Sequence, residues 1–498
     1  MRKLILASLA ISSALAAQAP APAARRGNLE QRVRPLLDQA PFDRASWGVH
    51  VMDSTGRVLF TRNGDRLFMP ASVTKLVVTA AASVLLPPDF RVRTSVYAHG
   101  AVRNGVLAGD LILYGRGDPA VSTRCYNVDT LAPGACDSAW TTIAALADSI
   151  AARGIQRITG QVVGDGSYFE PLLVHPQWSV FDTEWWYAAP VSGLAFNDNS
   201  VDFHITPADV VGRPPTIVGW PDWAQWTLEN RGRTGPADSG SSITDGFFRR
   251  PGTWNWRAEG AAALGRRPWT ESAAVPDPNL YAARGLAEAL RRRGIAVEGG
   301  AASTTDSLAY ATARAAPPLV ERLGRPLPDL LFPILNVSQN LFAEMLCKLV
   351  AREVTGVGSW SACLDLERRF LIDSVKVDSS AFALDDGSGL SAGNLVSPAA
   401  FTQLLAFMAR HPRSGAFFAA LPRSGGVGSI RRRFIGTPVE GKVWAKTGSI
   451  YRVSTLAGYV QRPDGKRVMF AVMVNGQTMS SRQILNQIDS VVVEIGRR

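Results

Sequence analysis

From Leu76 to Leu86 the chain carries no charged residue, and the run is apolar on every side. A helix that is apolar all round packs in an interior. This segment is therefore expected at the centre of the fold, with the remaining elements arranged about it. The stretch leading into it is Met69-Pro70-Ala71-Ser72-Val73-Thr74-Lys75. Pro70 suits a position just ahead of the helix or in its first turn. Ser72 and Lys75 lie three apart and so share a helix face. An ammonium buried there must be paired or partly neutralised, because an isolated buried charge is strongly disfavoured. A lysine beside a serine at a helix start can remove the serine proton. The plain alternative is a serine cap beside a solvated lysine.

The chain has 498 residues, which at about 150 residues per domain suggests two to four domains. Hydrophobic residues make up 46%, ample for a full core, and the formal charge is +11. That balance suits attraction to anionic polymers without defining a fold. No zinc-finger spacing, RNA-binding motif or long basic run is present, so nucleic acid is not the expected partner.

Met1-Arg2-Lys3 followed by the Ala- and Leu-rich stretch Leu4 to Ala17 reads as a secretory signal peptide over residues 1–19. The apolar part is too short for a span of about 20 residues, and no later segment looks like one. An exported protein, in the periplasm, is the expectation. The four cysteines fit that compartment. They permit three pairings, of which the local ones, Cys125–Cys136 and Cys347–Cys363, are expected because each pair sits in one sub-region. There is no Cys-x-x-Cys, and the histidines lack ligand spacing, so neither metal nor other cofactor is expected.

Along the chain, Trp47 to Asp53 and Arg57 to Thr61 read as a hairpin, followed by the Ser72 helix up to Pro87-Pro88. From about Arg91 short β-like runs alternate with Asn-Gly and Gly-Asp turns. Two helical segments end in basic residues followed by Gly154-Ile155 and by Gly294-Ile295, a shared helix-then-strand punctuation. Beyond Pro317-Pro318 helices dominate, and the chain closes with three strands from Val443 to Asn475 and a last helix. The expected architecture is α+β. One domain, formed by residues 28–94 and 310–498 as an antiparallel sheet flanked by helices, is interrupted by a mostly β insertion over 95–309, expected to form two subdomains.

Two further motifs lie in the second half. Ser338-Gln339-Asn340 opens an apolar helix and, taken singly, reads as a cap. Lys446-Thr447-Gly448-Ser449 lies in a strand-like run followed by another strand. Ser-x-x-Lys, Ser-x-Asn and Lys-Thr-Gly, in this order and in these contexts, form the motif set of penicillin-binding proteins and serine β-lactamases.

More than half the chain separates Ser72 from Ser338. With that long insertion the sequence resembles the D-alanyl-D-alanine carboxypeptidase/endopeptidase family related to penicillin-binding protein 4, peptidase family S13. Gly115-Arg-Gly-Asp-Pro119, Gly160-Gln-Val-Val-Gly-Asp165 and Asp386-Gly-Ser-Gly-Leu-Ser391 match as well, so the resemblance covers most of the chain. It implies a transpeptidase/serine β-lactamase-like domain with inserted domains, acting on peptidoglycan stem peptides and acylated by β-lactams.

In that frame Ser72 is the nucleophile and Lys75 its base. Ser338 and Asn340 relay a proton and hold Lys75. Burial and a second nearby cation, Lys446, are expected to lower the affinity of Lys75 for its proton, and Lys446 with Thr447 grips the terminal carboxylate. The N–H groups of Ser72 and Ser449, beside Gly448, form the oxyanion hole. Asp165 is expected to reach the amine of the stem side chain. Where relatives carry an arginine and a glutamine for a second carboxylate, this chain has Ala392 and Tyr451. A β-lactamase, a D-amino-acid esterase or peptidase on the same fold, and a non-catalytic wall-binding protein remain as rivals at this point.

Overall fold

The structure is a computed structural model that describes residues 28–122, 124 and 139–497. The expected signal peptide and the Cys125–Cys136 pair lie outside the described residues.

A five-stranded antiparallel sheet gathers the two ends of the chain. Its order runs Val58–Arg62, Ser46–Asp53, Arg467–Asn475, Val453–Gln461, Val443–Ile450. The central strand, Arg467–Asn475, reads as one hydrophobic run because both of its faces are covered. Val468, Phe470, Val472 and Val474 point to one core, and Met469, Ala471 and Met473 to another. This follows from the two-residue period of a strand.

On the first face lie the helices Leu29–Asp38 and Ser481–Gly496. Both open with a complete capping box, Asn28 with Gln31 and Ser480 with Gln483, which satisfies N–H groups that a helix start leaves unpaired. On the second face lie Lys75–Leu85, Leu327–Asn336, Asn340–Thr355 and Pro398–Arg410. The Lys75–Leu85 helix is buried from Lys75 through Ser83, as its uniformly apolar sequence requires. Burying each of its larger aliphatic side chains stabilises the fold by about 1.5–3 kcal/mol.

Between the two ends lies a mixed seven-stranded sheet. Its long hairpin, Arg91–Arg103 with Val106–Gly115, turns at Asn104-Gly105, where both residues have positive φ. That is the signature of a turn whose twist matches a hairpin. The helices Ala139–Ala151 and Pro278–Arg291 pack against this sheet. Each is followed by a left-handed glycine, Gly154 or Gly294, and then by two short strands. Ala296–Val297 pairs in parallel with Arg157–Ile158, and Ala301–Thr304 with Val162–Asp165. The shared punctuation therefore marks two helix–strand–strand units lying side by side. Residues 200–274 add small sheets rich in Trp and Phe.

Both limits of the insertion differ from the sequence reading. Val320–Pro326 pairs antiparallel with the Arg91–Arg103 strand, so the inserted sheet begins at Arg91 and closes at Pro326, outside the expected limits of 95 and 309. The pairing partner lies far away in sequence, and nothing local in Val320–Pro326 reveals it.

Candidate active site

The Lys75–Leu85 helix is entered through a short 3-10 turn, Ala71–Thr74, that carries Ser72. Lys75 reaches back from the first α-helical position. Its Nζ donates to Ser72 Oγ at 2.9 Å, to Asn340 Oδ1 at 2.7 Å and to the Ser388 carbonyl at 2.6 Å. The side chain is fully buried. Burial pulls its pKa down to about 7, against the opposing pull of the Asp386 and Glu344 carboxylates. A lysine in that state can lose its proton near neutrality.

The second motif is placed by backbone strain. Ser338 is left-handed, with φ of 69°, a conformation that costs a non-glycine residue about 1–3 kcal/mol. Ser338 Oγ accepts from Lys446 Nζ at 2.8 Å. Two residues on, Asn340 begins a helix, takes Lys75 on its oxygen and donates through Nδ2 to the Tyr187 carbonyl at 2.7 Å.

The third motif lies on the edge strand Val443–Ile450. Lys446 is buried, and its Nζ also donates to the Thr447 carbonyl at 2.6 Å. Burial, then the neighbouring Lys75, pushes Lys446 well below the ordinary lysine range. Burial, expected to lower Lys75, is the leading cause at both lysines, and repulsion between the two cations adds to it at Lys446. Thr447 Oγ1 donates to Ser429 Oγ at 3.1 Å. Gly448 has a steric reason to be glycine. A Cβ there would sit 2.2 Å from Thr455 Oγ1, 2.5 Å from the Pro70 carbonyl and 3.1 Å from the Ser72 nitrogen. The strand can lie against the Ser72 turn because that carbon is missing.

A loop from Asp386 to Ser391 closes the arrangement. Asp386 accepts the N–H groups of Gly389 at 2.6 Å and Ser391 at 2.7 Å, and the Trp178 indole at 2.9 Å. Gly389, with φ of 79°, packs so tightly on the Ala71 carbonyl that a Cβ would come within 1.9 Å of it.

These groups border a cleft of about 600 Å³ lined by Ser72, Asn340 and Ser449. Asp182 and Tyr187 of the inserted region line it too, as do Leu390, Ala392, Ile450 and Tyr451. The Tyr187 hydroxyl donates to Asp182 Oδ1 at 3.0 Å. Ala392 and Tyr451 therefore both face the cleft.

Asp165 does not. It is fully buried, bonded through one oxygen to Arg314 and through the other to the Ser167 N–H, and it is not among the residues lining the cleft. The acid that the inserted region brings to the cleft is Asp182, which the sequence reading missed. It sits in a Trp-rich stretch without helical or strand periodicity, so no local signal marks it. The one cluster of metal-type ligands among the described residues is Cys347, Cys363 and Glu367. Its two sulfurs form the expected Cys347–Cys363 disulfide and offer no thiolate.

The fold, with a serine and a buried lysine at its helix start, defines a serine hydrolase of the transpeptidase type. The family model described as "D-Ala-D-Ala carboxypeptidase 3 (S13) family" matches residues 29–495, and the chain belongs to that family. It is 30% identical over 485 residues to a D-alanyl-D-alanine carboxypeptidase of an Actinomadura species, covering 95% of this chain and 86% of the relative. It is 26% identical to the D-alanyl-D-alanine carboxypeptidase DacB of Haemophilus influenzae, covering 84% and 83% of the two chains. The solved structure of penicillin binding protein 4 from H. influenzae superposes with a TM-score of 0.80 at 23% identity, over 94% of this chain and 99% of that one.

Proposed function

We propose that this enzyme removes the terminal D-alanine from peptidoglycan stem peptides through an acyl-enzyme on Ser72, cleaves related cross-links as an endopeptidase, and is acylated by β-lactams on the same atom. The observation that carries this reading is the Lys75 amine bonded to both Ser72 Oγ and Asn340 Oδ1. Ser72 Oγ attacks the carbonyl of the penultimate D-alanine while its proton passes to neutral Lys75. The tetrahedral oxyanion is held by the N–H groups of Ser72 and Ser449, which is worth about 3 kcal/mol per donor. The proton then travels through Ser338 to the leaving amine, the C–N bond breaks, and D-alanine departs. Water attacks the ester, its proton passes to Lys75 and on to Ser72 Oγ, and the shortened peptide leaves.

The terminal carboxylate is taken by Lys446, Thr447 and Ser429. An arriving carboxylate favours the charged form of Lys446. Asp182 replaces Asp165 as the partner for the stem side-chain ammonium. Ala392 and Tyr451 offer no charge for a second carboxylate beside that ammonium, so an intact diaminopimelate end is not demanded. Export to the periplasm is supported by the basic-then-apolar first residues and by the Cys347–Cys363 disulfide. No helix among the described residues is long and apolar enough to cross a membrane.

The test combines labelled penicillin with a pentapeptide ending in D-Ala-D-Ala. Slow loss of an adduct mapped to Ser72, together with D-alanine release, is expected. Rapid drug turnover would indicate a β-lactamase, and neither reaction would indicate a wall-binding protein. For the substrate, a diacetylated lysyl-D-Ala-D-Ala tripeptide should be cut, and its C-terminal amide should not.

A further inference from the structure

Lys75 has three acceptors, and its neutral amine has two N–H bonds and one lone pair. If the lone pair is to meet the Ser72 proton, the two N–H bonds must go to Asn340 Oδ1 and to the Ser388 carbonyl. Asn340 is held by its helix. The Ser388 carbonyl belongs to a loop, and a loop carbonyl aims a lone pair only if something fixes the loop.

Glu344 does this. It is fully buried, and its Oε1 accepts the Ser388 N–H at 2.7 Å, while its Oε2 accepts the Gly387 N–H at 3.1 Å and the Trp360 indole at 2.8 Å. Three N–H donors converge on the carboxylate, which is the pattern for an acceptor-only, ionised group. Glu344 lies four residues after Asn340 on one helix, so the two share a face. That single helix thus supplies one lysine acceptor directly and holds the other through the loop.

We propose that Glu344 is a positioning residue for the hydrolytic reaction: by clamping the Gly387 and Ser388 amides it orients the Ser388 carbonyl, which turns the Lys75 lone pair toward Ser72. The Ser-x-Asn motif of this chain is in this sense Ser-x-Asn-x-x-x-Glu. The inference rests on the roles given above to Ser72 and Lys75. Asp386 secures the far side of the same loop through Gly389 and Ser391. The charged groups around Glu344 are Lys75, Lys348, Asp386 and Glu367. Its own carboxyl is pushed up to about 7 by burial and by Asp386, so above neutrality it is the anion that the geometry requires.

The test is the rate of acylation by labelled penicillin from pH 5 to 9 in the full protein, with thermal melts as a folding control. Glu344→Gln presents an amide to three N–H donors, so at least one donor meets another donor. At pH 8 its acylation should fall about 100-fold, as for a misplaced catalytic group. Its acid limb should also move to lower pH, because an anion that favours protonated Lys75 is gone. Glu344→Asp keeps the charge on a shorter arm, so about a tenfold loss is expected, with the limb where the wild type has it. A folded Glu344→Gln enzyme with a near-wild-type rate and an unmoved limb would overturn the proposal. If that variant does not fold, Glu344→Asp decides: full wild-type acylation overturns the proposal, and a slow enzyme with an unmoved limb supports it. A wild-type adduct mapped away from Ser72 would instead sink the underlying reading, whatever Glu344 does.

Discussion

At the catalytic centre each donor of Lys75 has a named acceptor, Ser338 meets Lys446, and Gly448 and Gly389 lie against the Ser72 turn with no room for another carbon. A few residues away, at the rim of the same cleft, Tyr451 is 83% exposed and Ala392 carries no polar group. The side chains at the centre come from the two ends of the chain, with the Tyr187 carbonyl of the insertion holding Asn340, whereas the Asp182 and Tyr187 side chains come to the rim from the insertion. The contrast teaches that chemistry and substrate choice are governed by different physics. Groups in the centre constrain one another through buried hydrogen bonds, where an unmatched partner is costly. Groups at the rim meet solvent until substrate arrives, so they can change without disturbing the reaction.

The largest effect expected is at Lys75. In Lys75→Arg the guanidinium stays protonated and cannot act as base, so acylation by labelled penicillin should fall by about 1,000-fold or more. In the wild type, acylation should rise with pH up to about 7 and then level off, because Lys75 must lose its proton to accept that of Ser72. A flat profile between pH 5 and 9 would break the claim that the centre depends on one buried amine.

A comparably large effect on stability, without one on chemistry, is expected for Arg314→Met. Asp165 would be left buried without its cation, which costs about 3–5 kcal/mol. Denaturant melts should show the loss, and the acylation rate per folded molecule should not change. If that rate falls with the stability, Asp165 belongs to the site after all.

Gly448→Ala should cost about 1–3 kcal/mol by overpacking and also slow acylation, because the strand must back away from Ser72. Gly415→Ala, with nothing within 4 Å of the added carbon, is the control and should melt like the wild type. Equal behaviour of the two variants would remove the argument from close approach.

The smallest change is at the rim. Asp182→Asn should raise KM for a stem peptide with a free side-chain ammonium by about tenfold, the value of one charge-assisted hydrogen bond. The kcat, the melting temperature and the KM for the acetylated tripeptide should stay put. A matching loss with the acetylated peptide would mean that Asp182 shapes the cleft instead of reading charge.

Much of this was legible in the residues. The serine and lysine three apart at the head of an uncharged run and the glycines after two helices are local devices set by helix geometry. The Cys347–Cys363 bridge belongs to the favoured one of three pairings that the sequence leaves open. Glu344 could have been found in the same way, since its spacing from Asn340 places both on one helix face. The edge of the inserted sheet could not, because Val320–Pro326 declares itself only through pairing with Arg91–Arg103.

By itself, then, the sequence determined the Ser72 helix, the three motif contexts, the α+β order of elements and the family, because these depend on periodicity, caps and short spacings. The tertiary structure alone decided which acid faces the cleft and which carbonyl steers Lys75. Asp165 and Asp182 are chemically identical side chains in neighbouring segments. One is sealed against Arg314 and the other opens beside Tyr187, and that difference arises from partners brought together only by folding.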